Sequence, residues 1–254
     1  MRMRLVKHRG HKLELYDSVQ ELPVWRFQQF NMNIMLEAGI GSDIDGFIKR
    51  VQSVRVLMGR DKEGASRELS NMVQSVVNII EGVSPEMAAF CMLIHKLDGR
   101  VIEDSDLSDE GIKELVKELS KRRFSIFQIR GFLKSIKKKV DTEFEVFFPS
   151  MGDSAKVKEY YTRLKERTML VLRGIKGDEV EDKIRSIDEF LMSRVKIQNY
   201  FGAKGLQVQM IKKFEEMCVM MNQYGVSGDS KRMTTLSFYQ SLEAIKSQVK
   251  KGRK

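Results

Sequence analysis

Three prolines, Pro23, Pro85 and Pro149, are all that interrupt 254 residues. Proline removes a backbone donor and clashes with the preceding helical turn, so the long segments between these positions are free of the strongest helix breaker. Those segments are rich in Lys, Glu, Leu, Met and Gln, residues that lose little rotamer freedom in a helix. An apolar fraction of 42% with 31% charged residues is that of a chain that buries a core. The expected fold is all-α: an elongated bundle of about nine or ten helices, with at most a short N-terminal strand at residues 13–16.

Local signals place the helices. Pro23 pre-sets a first helix running to about Ala38, with Gly39 as its C′ residue. Ser42, with Asp45 three residues on, opens a second helix ending near Met58. Asp61 opens a third, closed by Gly82. Ser84-Pro85 reads as an N-cap with proline at N1, opening a fourth helix to about Leu97. Residues 98–107 form a loop. Helices then cover 109–121 and 125–148, the second begun by the capping box Ser125-x-x-Gln128 and stopped before Pro149. Its apolar residues Ile126, Ile129, Leu133, Ile136, Val140, Phe144 and Phe147 step by three and four, a narrow seam. Further helices fit 154–173, 179–195 (capped by Asp178), 206–223 and a last one carrying Phe238, Leu242, Ile245 and Val249. The expected organisation is a basic arm at 1–12, a main helical domain at 13–195, a linker at 196–205, a C-terminal helical hairpin at 206–249 and a basic tail at 250–254.

Net charge is +10 and unevenly spread. Residues 1–12 carry Arg2, Arg4, Lys7, Arg9 and Lys12 with no acid, and residues 121–139 hold eight bases and no acid. The terminus adds Lys250, Lys251, Arg253 and Lys254, while residues 103–110 contain five acids and no base. Segregation of this kind suits an anionic partner, nucleic acid or an acidic protein face; solvated helix surfaces and frayed ends are the plainer alternative. Arg130, Lys134, Lys137 and Lys138 form a stripe beside the apolar seam and are the candidate contacts to DNA or an acidic partner. The two basic termini are candidate interface arms that order on a neighbour. No helix-turn-helix, zinc or RNA-binding signature accompanies the 121–139 segment. Phe124, Phe127 and Phe132 are interleaved with its charges and, at helical spacing, are expected to pack inward.

Other groups yield little chemistry. Residues 39–46 lack the Lys-Ser/Thr of a phosphate-binding loop and follow a helix rather than a strand, so they read as a turn. The acidic stretch fails as a calcium loop from either Asp98 or Asp104, because Arg100, Asp109 and Leu115 fall where ligands or glycine belong. His8 and His11 lie in the arm without carboxylate companions, and His95 is expected in an apolar helix. Cys91 and Cys218 match no metal or redox spacing and are expected to be reduced core residues. Met210, Met217, Met220 and Met221 suit either an adaptable groove or a plain core, with core favoured. No active site, cofactor or metal is expected. Nor is a membrane contact: no apolar run approaches the roughly 20 residues a bilayer requires.

Several strings carry a resemblance. ELYDSVQELPVWRFQQFN over residues 14–31 continues to Gly39-Ile-Gly41-Ser-Asp43, and is followed in order by Ser66-Arg-Glu-Leu-Ser-Asn71, KKKVDTEFEVFFP over 137–149 and Tyr160-Tyr161. They resemble proteins encoded by tailed bacteriophages of Bacteroidota, including crAss-like phages, over roughly residues 13–200. The resemblance implies a virion component made in the host cytoplasm. A ring or adaptor subunit of the head–tail connector, assembled as a cyclic homo-oligomer against portal or tail proteins, best fits a helical chain of this size. A capsid accessory protein, an internal cargo protein and, from a different class, a cytosolic nucleic-acid-binding or regulatory protein are the alternatives. No catalytic residue is carried over by the resemblance.

Overall fold

The computed structural model describes residues 3–40, 44–81, 83–149, 155–175, 178–194, 199–226 and 228–251. Among these lie ten α-helices and one antiparallel sheet of four short strands. The chain divides into two units: residues 1–148 with 199–254, and residues 149–198. The divisions fall at residues 148/149, inside the expected main domain, and at 198/199, inside the expected linker.

The first unit starts with strands β1 (Arg4–His8) and β2 (His11–Leu15). The basic N-terminal segment is thus an edge hairpin rather than a free arm; its first two residues, Arg2 among them, lie outside the described ones. The turn Arg9-Gly10 holds both residues at positive φ, 48° and 86°, the two-residue hairpin turn whose twist matches that of the strands. Strand β3 (Ile94–Leu97) pairs with β2, and β4 (Arg100–Val101) follows the same kind of turn at Asp98 (φ 50°) and Gly99 (φ 88°). The helix expected to run to Leu97 therefore stops at Met92. An unbroken apolar run such as Met-Leu-Ile suits a buried helix or a buried strand equally, and tertiary pairing with Leu13 and Leu15 decides for strand.

Helices α1 (Val24–Gly39) and α4 (Pro85–Met92) pack together beside the sheet, α4 capped by Ser84, whose Oγ accepts from Met87 N at 3.1 Å. Helices α2 (Ile44–Met58) and α3 (Lys62–Glu81) form a pair; Asp61 caps α3 through Gly64 N at 2.9 Å. The expected cap at Ser42 and stop at Gly82 lie outside the described residues. Helices α5 (Asp109–Lys121) and α6 (Ile126–Phe147) match their expected spans closely, and the reciprocal capping box of Ser125 and Gln128 is present. Ile129, Leu133, Ile136 and Val140 of the seam are buried in the main core with Leu13, Leu15, Phe90 and Leu97. Each such fully buried side chain contributes about 1.5–3 kcal/mol.

Helices α9 (Leu206–Gln223) and α10 (Thr235–Lys251) are joined to α1 rather than standing apart as a partly independent hairpin. Thr235 donates from N (2.8 Å) and Oγ1 (2.7 Å) to Leu22 O, and Val24 N donates to Met233 O at 2.9 Å. Phe27, Phe144, Phe148 and Tyr239 close this seam as an aromatic cluster. On α9, Phe214, Cys218 and Met221 are buried, while Met210 is half-buried against Met32, Leu36 and Ile40. Both cysteines are free and buried, and burial pushes the Cys91 thiol up to about 12.

In the second unit, α7 (Ala155–Ile175) and α8 (Glu181–Arg194) pair through Leu170, Val180, Ile187 and Leu191, and Arg167 bonds Asp188 in a two-pronged contact. No helix among the described residues is long and apolar enough to cross a membrane.

Candidate nucleic-acid interface

The two hairpin turns and the α5–α6 turn meet at one end of the sheet. Asp98 joins them. Its Oδ1 accepts from Lys12 N at 2.8 Å, and its Oδ2 accepts from Arg122 Nε at 2.8 Å and from His11 Nδ1 at 3.0 Å. The Arg122 bond, then the Lys12 amide, hold its carboxyl down to about 2. His8 ties the same end to α6. Its Nε2 donates to Arg123 O (3.1 Å), its Nδ1 accepts from Gln128 Nε2 (3.3 Å), and its ring lies 4.9 Å from that of Phe124. Arg123 has φ 60°, a left-handed helix stop; Phe124 N donates to Leu119 O and Arg123 N to Ser120 O. The non-glycine residues of positive φ among those described, Arg9, Asp98 and Arg123, are therefore gathered in one place. Backbone strain of this kind concentrates at functional positions.

Lys7, Arg9 and Lys12 on the hairpin and Lys121 and Arg123 on the helix turn are exposed, and among the described residues none has an acid at ion-pair distance. Asp98, the acid between them, is already engaged by His11 and Arg122. Lys7 and Lys12 are direct cross-strand partners on the sheet's outer face. Like charges placed so are destabilising, and their field is left for an external anion to neutralise. On the first turn of α6, which follows the α5–α6 turn, is Phe127, with 79% of its surface in water. It occupies the second position of α6, two residues before Ile129, and so lies on nearly the opposite side of the helix from the buried seam. Of the three phenylalanines expected inside, Phe124 is buried and Phe132 packs against the core, but Phe127 does not.

The stripe expected on α6 is only partly available. Arg130 Nε bonds Glu86 at 2.7 Å and Lys137 bonds Asp141, whereas Lys134 and Lys138 are exposed and unpaired among the described residues. Arg4 is used internally, donating to Ser135 Oγ at 3.0 Å and lying over the Phe132 ring. Lys250 and Lys251 end α10, and Arg253 and Lys254 lie outside the described residues.

No match to this chain is found among protein-family models, curated proteins or solved structures.

A second polar place lies nearby on the first unit, an open depression of about 440 Å³ lined by Tyr16, Arg26, His95, Glu103, Asp104 and Arg232. Tyr16 Oη and His95 Nδ1 are 2.9 Å apart; burial, then Lys96, lowers the His95 imidazole, and burial raises the Tyr16 phenol, so the pair is held neutral. Arg26, only 3% exposed, spends its guanidinium on Ile94 O (2.8 Å), Ile102 O (2.5 Å) and Asp104 Oδ1 (3.0 Å). Its work is to satisfy carbonyls at the strand ends, which would otherwise be buried unpaired. His95 thus sits in a strand with a phenol partner, not in an apolar helix. Among the described residues no group of three or more His, Cys, Asp or Glu is arranged to hold a metal.

The hairpin end escaped the sequence reading although a signal for it exists. Leu97-Asp98-Gly99-Arg100 is an Asp-Gly turn between two short runs, and His8-Arg9-Gly10-His11 repeats the pattern with Arg-Gly.

Proposed function

We propose that this chain is a structural, nucleic-acid-contacting protein of a tailed-phage particle, acting as one subunit of a cyclic homo-oligomer at the head–tail connector. The observation that carries the reading is the group of uncompensated cations at the hairpin end, Lys7, Arg9, Lys12, Lys121 and Arg123. Arg9 and Arg123 sit in tight turns and Lys7, Lys12 and Lys121 in the strands and helix that lead into them, so neutralising phosphates requires little ordering of the backbone. The virion setting rests on the resemblance of residues 13–200 to Bacteroidota phage proteins.

Assembly is supported by a second surface. Ile48, Val51 and Met58 on α2, with Leu69, Val73, Val76 and Ile80 on α3, stay exposed, Ile80 at 78%. Their steps of four, three and four make a continuous row on α3, and on α2 Arg55 stands between Val51 and Met58. Contiguous apolar rows of this size mark protein contacts, and ring subunits bury such faces on their neighbours. A capsid accessory or cargo protein would use the same two surfaces at another station. A cytosolic regulator would need the cations alone and gives the apolar rows no role.

Native mass measurement of the purified chain and of particles tests the reading. A ring of discrete stoichiometry is expected, with Val73→Asp/Ile80→Asp reducing it to monomers of unchanged helicity. A strict monomer absent from particles contradicts it.

A further inference from the structure

We propose that the hairpin end takes a single nucleic-acid strand, with an unpaired base stacked on Phe127 and the adjoining phosphates held by Arg9 and Arg123. This deepens the nucleic-acid contact proposed above and rests on it.

The juxtaposition is specific. Arg9 follows His8, whose imidazole bonds Gln128, and Gln128 follows Phe127 in the first turn of α6. Arg123 presents its carbonyl to the same imidazole. An exposed ring thus stands on the first turn of α6, which His8 and Gln128 tie to the hairpin turn, with the left-handed Arg9 and Arg123 on the two turns that adjoin that helix start and Lys7 and Lys12 on the outer face of the sheet. A duplex offers phosphates but keeps the faces of its bases stacked inside. A single strand offers both phosphates and free base faces, and every base has a π-face, so recognition of this kind tolerates sequence. Cations alone would fit either form; Phe127 distinguishes them. An acidic protein segment could match the cations, but an exposed aromatic beside a phosphate path is the arrangement that strand-binding proteins use.

The test uses the full chain and fluorescence anisotropy with an oligothymidine of about 16 nucleotides, free or annealed to its complement, at about 50 and about 200 mM salt. The single strand should bind about tenfold more tightly than the duplex. Phe127→Ala should remove about tenfold of single-strand affinity while leaving duplex affinity and the salt slope unchanged. Arg9→Asn/Arg123→Asn, which keeps a residue tolerant of positive φ at each turn, should lower the single-strand salt slope by roughly 1 to 1.5. Circular dichroism checks that both variants fold, and spectra like that of the parent are expected. Duplex bound as tightly as single strand, with Phe127→Ala neutral, overturns the stacking while leaving the wider nucleic-acid contact standing. Absence of binding to either form overturns both. Loss of affinity for an acidic protein of the particle, without any for nucleic acid, assigns the surface to protein instead.

Discussion

Lys7 and Lys12 face each other directly across the β1–β2 hairpin, and among the described residues no acid lies at ion-pair distance from either ammonium, Asp98 meeting only the Lys12 backbone amide. Two residues along β2 from Lys12, Glu14 makes the compensated version of the same cross-strand contact with Lys96 of β3 at 3.0 Å. The hairpin thus carries an electrostatic cost at one pair that its neighbour avoids. The cost is understandable where the surface serves an anionic partner.

Lys7→Glu would convert the like-charged pair into an attractive one. Folding stability should rise by about 0.5 kcal/mol at low salt, and the gain should fade as salt screens it. Affinity for nucleic acid should fall at the same time. Chemical denaturation at two ionic strengths, set beside anisotropy, measures both; a variant that loses stability shows that Lys7 is held by a contact other than repulsion.

Asp98 gives a prediction in pH. Its carboxyl is held at about 2, below the ordinary carboxylate value, so its contribution to stability is complete above the unfolded-state pKa and disappears as pH falls through about 2. With about a third of the side chain in water, screening limits that contribution to about 1 kcal/mol. Asp98→Asn keeps a residue suited to φ 50° and removes only the charge. The variant should be about 1 kcal/mol less stable than the parent at pH 7 and indistinguishable from it near pH 2. A constant difference across that range would assign the effect to the turn rather than to the ion pairs with Arg122 and His11.

Gly111, in the first turn of α5, is a helix glycine whose replacement should do harm. Alanine there would ordinarily favour the helix by about 1 kcal/mol. A Cβ at this position would meet Asp106 O at 2.2 Å and Asp106 C at 2.6 Å, and backbone cannot swing aside as a side chain can. Gly111→Ala should therefore destabilise by about 1–3 kcal/mol. Thermal unfolding reads the sign, and a rise in melting temperature would mean that the 3₁₀ turn at Asp104–Leu107 yields readily.

Much of the helical frame was legible because its signals are local. Ser125 and Gln128 cap α6 within four residues, Ser84-Pro85 opens α4, and the seam from Ile129 to Val140 repeats in step with the helix. The sheet was not legible in the same way. In β1 the alternation is written in half-buried and charged side chains, Arg4, Val6 and His8 against Leu5 and Lys7, so it reads as a basic arm until a partner strand is supplied. In β3 the apolar run fits helix and strand alike, and only pairing with β2 separates them. The candidate site depended on both turns, and so was hidden with them. Phe127 is misplaced for another reason: its step of three from Phe124 suggests a shared helical face, but Phe124 precedes the Ser125 cap, and within α6 Phe127 is about 200° from the buried Ile129.

The central claim is that nucleic acid meets this protein at the hairpin end rather than along the basic flank of α6. Photo-crosslinking of halogenated single-stranded DNA to the full chain, followed by peptide mass spectrometry, tests it most directly. Adducts are expected on the peptides containing residues 7–12 and 121–128, led by Phe127 and His8. Adducts confined to the α6 flank of Arg130, Lys134, Lys137 and Lys138, or to the second unit, would contradict it.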